Sequence, residues 1–401
     1  MTGTGGRAAG AHRLSWGDLG YLGLLWLGGF DLRVTLLAVP PVLPAIHRDL
    51  GLDETTISVL TGLPTLLLAV AAVPGSLLIA RLGARRALLT GLLAIGLGSA
   101  LRGVGPSLGV LFAMTLVMGA GVAVSQPVFP TLVREWLPFH VALATAVYSN
   151  GLLFGELVPA SITGPWLAPL LRGSWPLTFV AWSVPVFLAA LLMLFSTPHV
   201  PPRPGASRRW WPEFRSLQLW QVGLVMGLGS AAYFGTNTFI PDFVHATGRA
   251  GLKDAALTAL NASQLLASFL CLAFPDRLVG HRWPFVLAGA MVAAAGAGIA
   301  LTPGAWVVGW AGVIGFATAL ALVLTLALPP LLAAPEDVPR FSAGIFLIIY
   351  GTAFLGPVAG GTAWDSSHVP AAAFAVLALG GAAMAVLAAA TSYHRTPEPP
   401  R

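Results

Sequence analysis

The amino-acid sequence predicts an all-α membrane protein with twelve transmembrane helices arranged as two pseudo-symmetric six-helix bundles. Three observations lead to this fold class: the composition, the spacing of the apolar runs and the distribution of positive charge. Of the 401 residues, 56% are hydrophobic and only 9% are charged, whereas a soluble domain carries about 25% charged residues. So few charges cannot cover a water-facing surface, so we expect most of the chain to lie in a bilayer.

Long apolar runs separated by short polar clusters define the spans. A helix needs about 20 mainly apolar residues to cross a bilayer, and these runs have that length or somewhat more. Prolines within them indicate bends, which suit a helix that rocks or gates. The predicted spans are 18–44, 55–79, 85–103, 107–133, 140–165, 175–196, 216–243, 252–275, 284–302, 304–332, 341–363 and 370–392.

Positive charge fixes the predicted orientation. With a cytoplasmic N-terminus, fifteen of the 21 Lys and Arg residues fall in cytoplasmic segments and Arg33 falls within a span. Five fall on the outer side, namely Arg48, Arg102, Arg172, Arg249 and Lys253. Loops rich in Lys and Arg stay in the cytoplasm, so we expect both termini to be cytoplasmic and the number of spans to be even.

The spans divide six and six around one long connection. We expect an N-terminal tail at 1–17, a first bundle at 18–196, a cytoplasmic linker at 197–215, a second bundle at 216–392 and a tail at 393–401. The linker has five prolines and four arginines beside two tryptophans. These features are typical of a segment lying on an anionic inner leaflet; a regulatory docking site is the alternative.

The two halves repeat a short motif. ARLGARR (Ala80–Arg86) follows the second span, and PDRLVGHR (Pro275–Arg282) follows the eighth span. Both place Arg, Gly and Arg in a tight cytoplasmic turn. Duplicated halves are the plan of many secondary transporters.

This motif resembles the signature of the major facilitator superfamily, roughly G-x3-D-R-x-G-R-[RK]. Arg81, Gly83 and Arg85 match it, and the second copy keeps Asp276 and Arg277. The resemblance implies a transporter of two six-helix bundles, with these loops controlling the conformational switch.

A narrower resemblance covers nearly the whole chain. FDLRVTLLAVPPVLPAIHRDLGL (Phe30–Leu52) is similar to the first helix of the cyanate/nitroimidazole permease family, with Asp31 where that family usually has Asn. TAVYSNGLLFG (Thr145–Gly155) and LGPVAGG (Leu355–Gly361) add to the likeness. The resemblance implies a small polar or anionic substrate.

Arg33 is the first candidate for substrate binding. It lies about 15 residues into the first span, or roughly 22 Å along a helix, near the depth of transporter sites. A charge there costs at least about 2.5–3.5 kcal/mol, and a guanidinium binds an anion through two parallel hydrogen bonds. The alternative is a buried structural ion pair.

Two carboxyl groups are candidates for proton coupling or for the counter-ion of Arg33. Asp31 lies about 200° from Arg33 around the helix, so the two side chains cannot both face one cavity squarely; a distorted helix would still let Asp31 neutralise Arg33. Glu156 lies at a similar depth to Arg33 in the fifth span. It is either the counter-ion of Arg33, a proton carrier, or a side chain that reaches to the outer interface.

Uncharged polar residues within the spans complete the predicted site. They either bind substrate or bond neighbouring helices, which is common in membranes. The residues are Tyr148, Asn150, Gln126, Tyr233, Asn237, Gln264 and Tyr350.

The predicted function is secondary active transport of a small polar, anionic solute by alternating access, with protons as a candidate coupling ion. The alternative is a drug/proton antiporter exporting small organic compounds. No catalytic or metal-binding motif is present, so we expect no enzyme activity, cofactor, metal site or nucleic-acid partner. We expect a monomer in the cell membrane whose partners are its solute, the lipid bilayer and, if coupled, protons.

Overall fold

Helices make up nearly all of the computed structural model, which describes residues 14–50, 66–104, 107–196 and 210–393. Within these ranges, nine helices are long and apolar enough to cross a membrane. The outer part of span 55–79, most of the linker and both chain tails lie outside the described residues. The all-α fold class is confirmed.

The first half contains eight labelled helices. They are α1 (Trp16–Leu37), α2 (Leu43–Leu50), α3 (Ala72–Leu82), α4 (Ala84–Leu101), α5 (Leu108–Ser125), α6 (Val128–Trp136), α7 (Val141–Ile162) and α8 (Trp175–Ser196). A π-helical turn at Thr163–Leu167 and a short helix at Ala168–Leu170 follow α7.

The second half contains six long helices. They are α9 (Leu217–Ala246), α10 (Lys253–Ala273), α11 (Trp283–Leu301), α12 (Trp306–Ala327), α13 (Val338–Ser367) and α14 (Ala371–Ala390). Short helices at Pro275–Leu278 and Pro329–Leu332 follow α10 and α12.

Prolines end helices that the sequence predicted to be continuous. The prediction of one helix over 18–44 was wrong, because α1 ends at Leu37 and a 3-10 turn at Pro40–Val42 precedes α2. A proline has no N–H to donate and clashes with the preceding turn. Span 107–133 is interrupted in the same way at Pro127, between α5 and α6.

The two halves use the same helix pairings. In the first half, α1 packs on α7 and α4 packs on α8; in the second, α9 packs on α13 and α11 packs on α14. These are the first and fifth, and the third and sixth, spans of each half. The repeated pairing agrees with the repeated motif in the sequence.

Contacts between the halves lie mainly towards the predicted cytoplasmic side. There α3 packs against α13, and α7 packs against α10. The described end of the linker joins the same region: Ser76 Oγ donates to the Trp210 carbonyl at 2.9 Å, and Arg340 lies 3.5 Å from the Glu213 carboxylate.

Glycines set the close approach of α1 to α7. A Cβ atom at Gly29 would lie 2.2 Å from the Tyr148 carbonyl oxygen, and one at Gly151 would lie 2.1 Å from the Trp26 carbonyl oxygen. Small residues let helix backbones approach closely in membranes. This approach fixes the position of α1, and therefore of Arg33, relative to α7.

We predict that Gly29→Ala and Gly151→Ala each lower the thermal unfolding midpoint of the detergent-solubilised protein. Overpacking of this kind costs about 1–3 kcal/mol. Gly23→Ala is the matched control on α1, because a Cβ atom there has no neighbour within 4 Å. An unchanged midpoint in both test variants would show that the two helices are free to separate.

Candidate functional site

Arg33 lies on α1 and contacts helices of both halves. Its Nη2 donates to the Tyr350 hydroxyl on α13 at 3.0 Å, and its Nε lies 3.3 Å from Glu156 Oε1 on α7. The Arg33 side chain is 11% exposed and that of Glu156 is 28% exposed. Arg33 is therefore largely shielded from solvent, and Glu156 is partly exposed.

The Arg33 and Glu156 contact is an ion pair without a well-directed hydrogen bond. Within the described part of the chain, Arg33 Nε has no hydrogen-bond partner, although the carboxylate lies close to it. The negative charge of Glu156 thus balances the positive charge of Arg33 and leaves Arg33 N–H groups available for other hydrogen-bond acceptors. Such an arrangement is suited to exchanging one anionic partner for another.

The Tyr350 hydroxyl connects Arg33 to a helix break in the first half. Gln126 follows α5 directly, just before Pro127, and its Nε2 donates to the Tyr350 hydroxyl at 2.8 Å. Tyr350 thus accepts two hydrogen bonds, which occupy both oxygen lone pairs. Within the described ranges no acceptor is bonded to the Tyr350 O–H group, which is therefore left to donate.

Asn150 links the two halves nearer the predicted cytoplasmic side. Its Oδ1 accepts from Trp26 Nε1 at 2.9 Å, and its Nδ2 donates to Ser268 Oγ on α10 at 3.0 Å. This geometry matches the helix-bonding alternative for Asn150 rather than a side chain free to bind substrate. Neither Trp26 nor Ser268 was selected from the sequence, since single tryptophans and serines are common in spans.

Asp31 lies on the opposite side of α1 from Arg33. The interpretation that Asp31 neutralises Arg33 is wrong in this conformation, because the 200° separation holds and Glu156 occupies that place. Asp31 is fully buried, and neither carboxyl oxygen has a hydrogen-bond partner among the described residues.

Arg102 lies near this buried side of α1. Its Nη2 donates to the Thr35 carbonyl at 2.8 Å, and its guanidinium lies 4.1 Å from the centre of the Phe179 ring. Arg102 directly follows the last residue of α4 and is buried, at 1% exposed. The aromatic face and the carbonyl replace water around the charge.

Tyr148 lies within the first half, behind α1. It is 2% exposed, and its ring centre is 5.4 Å from that of Phe129. Its hydroxyl has no hydrogen-bond partner in the part of the chain that the structure describes, but it lies close enough to Tyr350 for an electrostatic interaction.

A polar cluster on α9 and α10 of the second half lies near the Arg33 and Glu156 pair. Tyr233 OH donates to Asn261 Oδ1 at 2.7 Å, and Gln264 Nε2 lies 3.2 Å from Tyr233 OH and 3.3 Å from Asn261 Oδ1. Asn237 Nδ2 donates to the Tyr233 carbonyl at 3.1 Å. Tyr233 lies near both Arg33 and Glu156.

Asn261 was not predicted from the sequence to be a site residue. Its Asn-Ala-Ser context draws attention to glycosylation, which has no meaning inside a span. The useful signal is its spacing of three residues from Gln264, which puts both amides on one face of α10.

The predicted switch loops lie at the ends of the spans that the charge distribution predicts to be cytoplasmic. Arg81 is exposed, Gly83 has φ +82° between α3 and α4, and Arg85 donates to the Leu194 carbonyl at the end of α8. In the second copy, Asp276 and Arg277 are exposed. The short helix Pro275–Leu278, which carries Asp276 and Arg277, packs against α7 of the first half.

The described residues contain no group of three or more His, Cys, Asp or Glu side chains placed to hold a metal ion. The chemistry that the site offers is hydrogen bonding and charge compensation. Arg33 and Tyr350 offer N–H and O–H groups, and the Tyr233 cluster adds amide groups from the second half.

Curated relatives resemble this chain over part of its length. The cyanate transport protein CynX of Escherichia coli (strain K12) is 27% identical over 242 residues, which are 59% of this chain and 62% of CynX. The 2-nitroimidazole transporter of the same strain is 28% identical over 249 residues, 57% of this chain and 58% of that protein. The matches thus span less than two thirds of either relative.

Solved structures match nearly the whole fold. The transporter FucP in its outward conformation superimposes with a TM-score of 0.73 at 14% identity, covering 94% of this chain and 99% of FucP. The human organic anion transporter MFSD10 gives a TM-score of 0.75 at 14% identity, covering 92% and 98%. At this identity the likeness establishes the fold alone, that of a multi-pass membrane protein with twelve helices in two bundles.

Residues 25–275 match the sequence family named Major Facilitator Superfamily. This stretch is more than half of the chain and includes Arg33, Glu156 and the Tyr233 cluster. The protein belongs to the Major Facilitator Superfamily.

Proposed function

We propose that this protein is a secondary active transporter that moves a small anionic solute across the cell membrane by alternating access. The observation that carries the proposal is the Arg33 guanidinium, held about 25 Å along α1 between the two halves. Its partners, Glu156 and Tyr350, are single contacts from different helices. An anion can replace both.

The donors around Arg33 favour an anion over a cation. A guanidinium has five N–H groups and binds a carboxylate-like group with two of them. One Arg33 nitrogen is bonded to Tyr350, so several N–H groups are left for a ligand. The free O–H of Tyr350 adds another donor beside them.

Charge balance supports proton coupling through Glu156. In the empty site the Arg33 and Glu156 charges compensate each other. An anion bound to Arg33 leaves the Glu156 carboxylate unpaired in a poorly hydrated place, which is costly. A proton taken up by Glu156 removes that cost, so anion and proton would move together without net charge.

The bonds between the halves support alternating access. Arg33 and Gln126 of the first half both donate to Tyr350 of the second half. A solute that takes over the Arg33 donors weakens this connection at the depth of the site. Binding would thereby lower the barrier to rocking one half against the other.

The names of the two relatives support a substrate of small size. One is named a cyanate transport protein and the other a 2-nitroimidazole transporter. Cyanate is an anion, and a nitro group presents two acceptor oxygens like a carboxylate. We propose the same size class and acceptor character for the substrate here.

The remaining organisation follows from this proposal. The bundles would comprise 18–196 and 216–392, joined by the linker 197–215, with tails 1–17 and 393–401 in the cytoplasm. The protein would act as a monomer, since both halves of the site come from one chain. Export of cationic drugs is less well supported, because Asp31 is buried and Glu156 is already paired with Arg33.

We predict that Arg33→Gln abolishes binding and uptake of cyanate and 2-nitroimidazole in proteoliposomes. Loss of a charged hydrogen-bonding partner of this kind costs about 2–5 kcal/mol, or roughly 30-fold or more in affinity. Arg33→Lys keeps the charge but not the two-bond geometry and should retain a minor part of the uptake.

Arg172→Gln is the control, because this arginine is exposed in an outer turn. It should transport at the rate of the unmodified protein. Normal uptake by Arg33→Gln with intact folding would remove Arg33 from substrate binding.

We predict that Glu156→Gln separates solute exchange from proton movement. The amide keeps the shape of the side chain but cannot carry a charge. Counterflow of labelled cyanate should persist, while accumulation driven by a pH gradient, followed with a trapped pH-sensitive dye, should be lost.

Asp31→Asn distinguishes the two candidate carboxyl groups. If this variant loses gradient-driven accumulation and Glu156→Gln keeps it, the coupling role belongs to Asp31 and the proposal for Glu156 is wrong.

A further inference from the structure

The described end of the linker, residues 210–214, contacts both halves of the protein. Ser76 Oγ of α3 in the first half donates to the Trp210 carbonyl at 2.9 Å. Arg340 Nη2 of α13 in the second half lies 3.5 Å from Glu213 Oε2. Helices α3 and α13 also pack on each other, so this segment lies beside a contact between the halves.

The segment is fixed to the second half by packing. Pro212 is buried, and a Cβ atom at Gly344 of α13 would lie 2.9 Å from Pro212 Cβ. The Phe214 carbonyl accepts from Trp220 Nε1 on α9 at 2.8 Å. A movement of α13 away from the first half would therefore carry the segment with it.

The ion pair with Arg340 adds little to this packing. Arg340 Nε donates to Asp337 Oδ1 at 2.6 Å, which directs the rest of the guanidinium towards Glu213. The Glu213 side chain is 64% exposed, and exposed ion pairs of this kind are weak. The buried Pro212 therefore holds the segment on α13 more firmly than the charges do.

The hydrogen bond from Ser76 connects the segment to the first half. Ser76 is 1% exposed, so water does not compete for its hydroxyl while the halves stay in contact. A buried hydroxyl without a partner is unfavourable. The bond therefore favours the arrangement in which α3 and α13 are packed together.

This bond is a feature of the chain itself and not of the superfamily signature. The signature has glycine at the position that Ser76 occupies here. A glycine has no side chain and cannot donate to the Trp210 carbonyl.

We propose that residues 210–214 form a latch that keeps the predicted cytoplasmic side closed, and that Ser76 is the residue of the first half that engages it. Opening of this side separates α3 from α13, so the bond between Ser76 and Trp210 must break at that step. The inference rests on the proposed function, because it takes alternating access as the motion that the latch controls.

The native cysteine can report this opening without any solute. Cys271 is the single cysteine of the chain and is 1% exposed. It follows Ser268, which accepts from Asn150 of the first half, by three residues, and this spacing puts both on one face of α10. Separation of the halves would expose the thiol. Its rate of reaction with N-ethylmaleimide, followed by mass spectrometry of the purified full-length protein, therefore reports the open population.

We predict that Ser76→Ala raises the rate of Cys271 modification roughly 2-fold to 10-fold, the effect of one lost hydrogen bond on an equilibrium. Ser76→Gly, which restores the signature residue, should give the same rise. Ser76→Thr keeps a hydroxyl and should react at nearly the rate of the unmodified protein.

Ser342→Ala is the matched control. Ser342 is a buried serine of α13, and its hydroxyl has no hydrogen-bond partner among the described residues. Its removal should leave the rate of Cys271 modification unchanged.

The outcomes separate the latch from the function on which it rests. An unchanged rate in folded Ser76→Ala or Ser76→Gly protein would overturn the latch. An equal rise in Ser342→Ala would also overturn it, because general loosening would explain both changes. Neither result involves an anion, so the role of Arg33 would stand. Normal uptake by Arg33→Gln, in contrast, would remove the anion proposal and leave a rise in Ser76→Ala as support for the latch.

Discussion

Compensation of the Arg33 charge is the constraint on which the site depends. A guanidinium at this depth needs a partner, because water is scarce and the cost of an isolated charge is several kcal/mol. Glu156 supplies that partner from α7 at 3.3 Å, and Tyr350 supplies a hydroxyl from α13. Under the proposed function, the interactions that stabilise the empty site are the ones that a solute must replace.

The helix packing of the first half serves this compensation. Gly29 and Gly151 bring α1 and α7 into backbone contact, and Arg33 and Glu156 follow each of them by about one turn. Tyr350 then ties the pair to the second half, and Gln126 ties Tyr350 back to the first. In the proposed mechanism, binding and rocking are therefore linked through one hydroxyl group rather than through separate elements.

The sequence predicted the fold well because a bilayer permits few solutions. Backbone N–H and C=O groups in lipid must form hydrogen bonds within helices. An apolar run such as 175–196 therefore forms a helix of the same bounds, α8. Depth along a helix is also readable by counting, which placed Arg33 and Glu156 at one level. Contacts between halves were not readable, since they depend on tertiary packing: Asn150 with Ser268 and Gln126 with Tyr350 are 118 and 224 residues apart. Prolines were ambiguous too, because Pro40 ends a helix whereas Pro357 lies inside one.

The central claim is that an incoming anion takes Arg33 from Glu156 and that a proton replaces the lost charge. Calorimetric titration of cyanate in buffers of different ionisation enthalpy measures the protons taken up on binding. The account predicts uptake of about one proton per bound anion. Cyanate binding to Arg33 with no proton uptake would contradict it, because Glu156 would then remain charged without its partner.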